Sequence, residues 1–300
     1  MAHNHNHSHH NHSSTKNIST AFFLNLFFTI IEFIGGFYTN SLAIMSDAVH
    51  DLGDSLSLGM AWYFQKIATK KPTKNFSYGY KRFSILGAII NSVVLCIGSI
   101  FIIKEAIPRI INPETADVKG MMWFAILGII VNGAAVLKLK KGTSMNEKVV
   151  SLHLLEDVLG WVAVLIASVA MQFFNIPILD PILSILIALF ILYNVFKNGK
   201  ESIRIILQAT PVSISVDKIK KEIIKHKSVE SIHDYHLWSM DGDYNVFTAH
   251  LLLVDKYTSW QKSLIIKEDI RKILQNKFQL EHITLELEIS EDCGYINCGS

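Results

Sequence analysis

Apolar runs long enough to cross a bilayer recur six times in the first two-thirds of the chain, and this recurrence restricts the fold more than any other feature. A hydrocarbon core takes about 20 residues of helix. The runs fall at 18–38, 41–64, 83–103, 121–137, 149–174 and 177–196, the fourth beginning nearer Val118. Half of the 300 residues are apolar and only 18% are charged, too few charges to cover a soluble chain of this length. A net charge of +2 without a basic block argues against nucleic acid as a partner, and three cysteines cannot build a disulfide scaffold. The leading residues are rich in His and Asn, and no cleavable signal peptide is expected. After Gln208, Lys, Glu and Asp become frequent and no later run is long enough to span. The expected organisation is a flexible His-rich segment (1–17), a six-helix membrane domain (18–208) and a domain of about 90 residues (209–300).

Lys and Arg set the expected orientation. Fourteen of them flank the spans on the side of the amino terminus, including Lys66, Lys70, Lys71, Lys74, Lys81 and Arg82 between spans two and three. The opposite side holds three: Lys104, Arg109 and Lys119. Both termini are therefore expected in the cytoplasm. In the tail, Val216, Ile219 and Ile223 fall at helical spacing within a helix at 215–226. Strands at 229–240 and 244–254 flank the turn Asp241-Gly242-Asp243, a helix covers 259–278, and 282–289 alternates as a third strand. The fold class is thus an α-helical membrane protein, a six-transmembrane-helix bundle followed by a small α+β domain of order αββαβ.

Ionisable residues within spans cost about 2.5–3.5 kcal/mol each at the bilayer centre, so they need a reason. Spans three and four contain none, whereas span two carries Asp47, His50, Asp51 and Asp54 and span five carries His153, Glu156 and Asp157. At about 100° per residue the polar residues of span two form one stripe, which must face other helices or water. Two spans share a pattern, His50-x-x-x-Asp54 and His153-x-x-x-Asp157. Residues four apart stand above one another on a helix, so each pair can offer a nitrogen and an oxygen to one ion. Two imidazoles and two carboxylates complete a tetrahedral shell suited to Zn²⁺, short of the six to eight oxygens of a Ca²⁺ site. Cd²⁺ and Co²⁺ accept similar ligands. Asp47, Asp51, Glu32 and Glu156 are not assigned as ligands. The bland alternative, interhelical hydrogen bonds, fits one such pair better than two identical ones.

Asn40-Ser-Leu-Ala-Ile-Met-Ser-Asp-Ala-Val-His-Asp-Leu-Gly-Asp54 resembles the second-helix motif of the cation diffusion facilitator family, its zinc-transporting bacterial branch in particular. His153-Leu-Leu-Glu-Asp157, Tyr78-Gly-Tyr-Lys-Arg82, His233-Asp-Tyr-His-Leu-Trp238 and Ala249-His250 are similar to further motifs of that family. The resemblance implies a homodimer in a bacterial inner membrane and a ferredoxin-like cytoplasmic domain. It also implies export of Zn²⁺ by alternating access in exchange for protons, with His50, Asp54, His153 and Asp157 as transport ligands. Tyr80 stands where some members have a metal-binding His, so no loop site is expected. Ser84 and Gln208 replace carboxylates, so the charge interlock of some relatives between loop and tail is not expected either.

Outside the membrane, His233 and His236 lie three apart on a strand and are expected on opposite faces, so that one joins His250. The resemblance favours His233 and points to Glu288, with His282 nearby. Cys293 and Cys298 can add thiolates, and Zn²⁺ is the ion expected there as a regulatory ligand. Six histidines at positions 3–12 form a loose metal-binding tract of a composition shared by natural members and engineered tags. Enzyme activity is not expected: no His-Glu-x-x-His motif occurs, and four protein ligands leave no position for an activated water. No phosphate-binding glycine loop marks an ATP-driven pump. The rival to a transporter is a membrane-embedded metal sensor that signals through its tail.

Overall fold

The computed structural model describes residues 11–139, 145–255 and 257–289. Six long helices come first: α1 (Asn11–Thr39), α2 (Leu42–Ala68), α3 (Phe83–Ile111), α4 (Val118–Leu139), α5 (Met145–Phe174) and α6 (Leu179–Ile206). The tail follows as α7 (Val216–Ile224), β1 (Val229–Ser239), β2 (Asn245–Leu253), α8 (Trp260–Phe278) and β3 (His282–Glu288). The described residues thus form six long helices followed by an αββαβ domain. Within the described residues, stretches of α3, α4, α5 and α6 are long and apolar enough to cross a bilayer by length and composition. α2 is comparably long but interrupted by three aspartates and a histidine. α3 continues past the expected end of its span, through Pro108 to Ile111.

The chain divides into two compact units. One comprises Met1–Lys66 and Leu86–Gly199; the other comprises Ile67–Ile85 and Lys200–Ser300, so the segment between α2 and α3 groups with the tail.

In the first unit the links α1–α2, α3–α4 and α5–α6 meet at one end. Asp117 N–H donates to the Thr39 carbonyl (2.8 Å), and Arg109 Nη1 donates to the Asn40 carbonyl (3.0 Å). Asp180, at the start of α6, accepts from Ser41 Oγ (2.5 Å), Leu42 N (2.8 Å) and Ala43 N (3.2 Å). A carboxylate there satisfies orphan donors of the α2 amino terminus and complements its helix dipole. Lipid tails are as apolar as leucine, so close approach of small residues holds membrane helices together. Gly128 of α4 lies under Trp161 of α5, where a Cβ would come within 2.3 Å of the indole, and Gly53 of α2 lies under Leu95 of α3 (2.5 Å). Phe23, Phe27, Ile30, Ile34 and Phe37 form an exposed apolar stripe along α1, the face fit for lipid.

In the second unit, β1 pairs antiparallel with β2, and β2 pairs parallel with β3, which returns through α8. Ser215 and Ser259 cap α7 and α8 by accepting from Lys218 N and Lys262 N. Gly242, at φ 104°, turns the hairpin between β1 and β2. One sheet face packs on both helices through Phe247, Ala249, Leu251, Leu285, Ile219, Ile270 and Leu274. Glu222 of α7 forms ion pairs with Lys225 and with Lys277 of α8. In the 67–85 segment, Tyr80 packs against Phe76 and Phe83. The segment meets the tail where Tyr78 stands edge-on to His282 (5.3 Å) and Lys81 lies over the Tyr244 ring (4.2 Å).

Two outcomes follow. Phe247→Ala, which empties the centre of the tail core, is expected to cost about 3–5 kcal/mol and to unfold the tail first, as read by denaturant titration. Hydrogen bonds from Lys277 and Lys225 hold the Glu222 carboxyl below its usual range. A depressed carboxylate stabilises the fold above its unfolded value of about 4.3 and loses that contribution as pH falls through the folded value. The thermal midpoint of the tail should therefore drop more steeply on acidification in the wild type than in Glu222→Gln, measured by circular dichroism between pH 6 and 3.

Candidate metal centres

Two clusters of ligand-type side chains occur among the described residues, one in each unit. In the membrane unit, α2 places His50 and Asp54 one turn apart, and α5 brings Asp157 against them. His50 Nε2 lies 3.7 Å from Asp54 Oδ2 and 3.7 Å from Asp157 Oδ1. Side-chain exposures of 20%, 26% and 9% describe a recessed, partly open site. Asp157 Oδ1 is buried and makes no hydrogen bond.

These distances decide what the cluster can do. A separation of 3.7 Å is too long for a hydrogen bond. It lies close to the edge of a zinc tetrahedron, about 3.3–3.6 Å for ligand bonds of about 2.0–2.2 Å. Three donors of the right kind therefore surround a space of ionic size. His153 belongs to α5, four residues before Asp157, but its side chain lies outside the described residues.

α2 is held in place from several sides. Asp180 caps its amino terminus, and Gly53 and Val49 pack on Leu95 and Gly98 of α3. On the α5 side, a Cβ at Gly160 would lie 3.5 Å from Asp47 Oδ1, so the two helices approach closely near the cluster. Trp161, the next residue, is almost wholly buried and packs on Gly128 and Phe28.

In the tail, the second cluster occupies the sheet face opposite the helices. Glu288 bridges two imidazoles, with Oε2 2.9 Å from His233 Nε2 and Oε1 2.6 Å from His250 Nδ1. The two rings stand 5.5 Å apart. Asp234 Oδ2 and Glu286 Oε2 each lie 3.5 Å from His250 Nε2, a carboxylate surround that sequence reasoning missed. This cluster is closed by hydrogen-bonding contacts, and holding an ion requires its side chains to part by about half an ångström.

Two tail residues sit otherwise than expected. His236 pairs with Thr248 while His233 pairs with His250, so both histidines lie on the same sheet face. A bulge at Asp234, with φ 42°, adds one residue to β1 and restores the parity that regular alternation would have broken. His236 is nevertheless 66% exposed and contacts Asp234 instead of the cluster. His282 shares a strand with Glu288 but lies at its other end, against Tyr78. Cys293 and Cys298 lie outside the described residues.

A helical bundle with a cluster of metal-ligand-type side chains is thus joined to an αββαβ domain that carries another. The cation efflux transmembrane domain family matches residues 18–207, and the cytoplasmic domain of cation efflux proteins matches 211–290. The chain belongs to the cation efflux family. It is 35% identical to the cadmium, cobalt and zinc/H⁺-K⁺ antiporter of Bacillus subtilis over 292 residues, 96% of this chain and 92% of the relative. It is 32% identical to the zinc transporter ZitB of Pectobacterium atrosepticum, over 96% and 89% of the two chains. With the metal cation efflux system protein CzcD of Cupriavidus metallidurans it shares 30% identity over 96% and 90%. Its relatives are transporters, and the chain is a multi-pass membrane protein and not an enzyme.

Proposed function

We propose that this protein exports Zn²⁺ from the cytoplasm in exchange for protons, by alternating access around a shell of His50, Asp54, His153 and Asp157. Cd²⁺ and Co²⁺, named for the Bacillus relative, are further substrates that such a shell accepts. The observation that carries the reading is His50 Nε2 standing 3.7 Å from carboxylates on two different helices. One ion joins α2 to α5 there, and a change in their separation opens or closes the site.

Proton exchange follows from the same donors. Two carboxylates balance the charge of a divalent ion in a medium where an unpaired charge is costly. Once the ion leaves, protons must replace it, because acids facing each other in low dielectric do not both stay ionised. Metal and protons thus compete for the same ligand atoms. The relative from Bacillus is named for such an exchange.

The proposed organisation has residues 1–17 as a His-rich lead, 18–208 as the transport domain and 209–300 as a cytoplasmic regulatory and dimerisation domain. Fourteen Lys and Arg against three support both termini facing the cytoplasm, and the membrane of this reading is a bacterial inner membrane. The working form is a homodimer, in keeping with the match of the tail to the family's cytoplasmic domain. His233, His250 and Glu288 bind Zn²⁺ as a regulatory ligand, with Cys293 and Cys298 as further donors. His282 lies apart from that cluster and is not assigned to it.

Asp54→Ala and Asp157→Ala are expected to give folded protein that moves no zinc in liposomes, since each loses a ligand and a compensating charge; wild-type flux in either variant removes that residue from the shell. His50→Asp replaces a nitrogen donor by oxygen and should relax the preference for Zn²⁺ over Cd²⁺ in competition flux assays. For the tail, Glu288→Ala should weaken zinc binding to that cluster by roughly tenfold or more, equal to about 1.4 kcal/mol. His282→Ala should leave it unchanged. Equal losses in the two variants would contradict the three-residue assignment.

A further inference from the structure

The membrane unit contains a second polar seam that the metal shell does not use. Asn25, Thr29 and Glu32 recur on one face of α1, and Asp47, Asp51 and Ser55 recur on one face of α2. The two faces meet. Asn25 Nδ2 donates to Ser55 Oγ (3.1 Å) and to the Asp51 carbonyl (3.2 Å), and Thr29 Oγ1 lies 3.5 Å from Ser55 Oγ. From Asn25 to Glu32 the seam runs about 10 Å along α1. Its face lies opposite the lipid-fit stripe of Phe23, Phe27 and Ile30.

Glu32 is the anomaly in this seam. It is 0% exposed, and neither of its carboxylate oxygens has a hydrogen-bond partner. Asp47 Oδ2 of α2 is also buried without one. The foremost charged neighbours of Glu32 are acids, Asp51 and Asp47 of α2 and Asp157 of α5, and the Asp51 carboxyl is close enough to share a proton with it. Asn25, Thr29 and Ser55 show what a structural interhelical contact looks like here, since each has its hydrogen bonds. Glu32 does not fit that description. Nor does it belong to the metal cluster, whose mutually close ligand atoms come from His50, Asp54 and Asp157.

An ionised carboxylate in this position faces other acids and, among the described residues, accepts from no donor, an expensive state within a membrane. One proton on a Glu32 oxygen cancels the charge and makes an O–H donor for the acidic oxygens opposite. We propose that Glu32 is a proton-binding residue of the exchange, a seat for the counter-ion separate from the metal-ligand set and reached along the Asn25–Thr29–Ser55 seam. This rests on the exchange reading above. On loading, a hydronium ion gives its proton to a Glu32 oxygen, leaving water and a neutral carboxylic acid. On unloading, the O–H bond breaks, the proton returns to water and the carboxylate regains its charge. Asp47 and Asp51 lie on the same helix as His50 and Asp54, so the charge state of Glu32 is felt by the helix that carries the metal.

The test uses purified protein in liposomes, with zinc flux and internal pH recorded together, for wild type, Glu32→Gln and Glu32→Asp. Glu32→Gln keeps the shape and cannot be ionised. It should bind zinc at the membrane site as wild type does, taking as that site the binding component lost in Asp157→Ala. Its flux should respond less to an imposed pH gradient, and the protons moved per zinc should fall by about one, the capacity of one carboxylate. Glu32→Asp should restore both. Unchanged proton movement and gradient response in Glu32→Gln would overturn the proposal and leave Glu32 a packing residue. Loss of zinc binding together with flux would overturn it differently, by putting Glu32 in the metal shell. If Glu32→Gln does not fold, the pH profile of Glu32→Asp decides: a displaced acid limb supports the proposal, an unmoved one refutes it. Wild-type protein that moves no protons at all would instead refute the exchange reading itself.

Discussion

The cost of carrying ionised side chains into hydrocarbon organises the membrane unit. Each such group needs a partner, an ion or a proton, because lipid provides none. α2 carries its acids on one polar stripe, whose two edges meet different helices. His50 and Asp54 turn to Asp157 of α5, at spacings that suit a metal ion better than a hydrogen bond. Asp51 and Ser55 turn to α1, where Asn25 bonds to both and Glu32 lies buried, while Asp47 sits between the two sides with Oδ1 near Gly160 of α5. The nitrogen-containing edge suits a borderline-soft divalent cation, and the all-oxygen edge suits protons. One helix in contact with both can couple the two.

Such a helix must be held at its end and packed closely along its length. Asp180 of α6 ties the α2 amino terminus through three hydrogen bonds, and Arg109 secures the preceding carbonyl. Gly53 and Gly98 leave room for the Leu95 and Val49 side chains of the facing helix, so α2 and α3 pack closely. Glycines and buried polar contacts are the means available where water does not drive helices together. In the tail the ordinary hydrophobic effect suffices: one sheet face is sealed by α7 and α8, which leaves the other free to present His233, His250 and Glu288.

The helices and the αββαβ order were legible because each depends on local period: runs of about 20 apolar residues in the membrane, alternation and helical spacing in the tail. That His50 and Asp54 stand together was legible for the same reason, four residues being one helical turn. What escaped depends on breaks in period or on distance along the chain. The bulge at Asp234 reverses the parity between His233 and His236, and a regular strand gives no sign of it. His282 and Glu288 look adjacent in sequence, yet six residues of strand separate them by about 20 Å. Asp180 meets Ser41 across 139 residues, a pairing that no local pattern marks. Asn25, Thr29 and Glu32 do share one helix face, but only burial reveals that Glu32 lacks the hydrogen bonds its neighbours have.

The central claim is that metal and protons exclude one another within the membrane unit. The most direct measurement imposes a zinc gradient, and no pH gradient, across liposomes containing only this protein, and records pH inside. The account predicts that zinc entry drives protons out, that reversing the zinc gradient reverses the pH change, and that Asp157→Ala abolishes both. Zinc entry with no pH change in the wild type, under conditions where a proton leak is excluded, would contradict it.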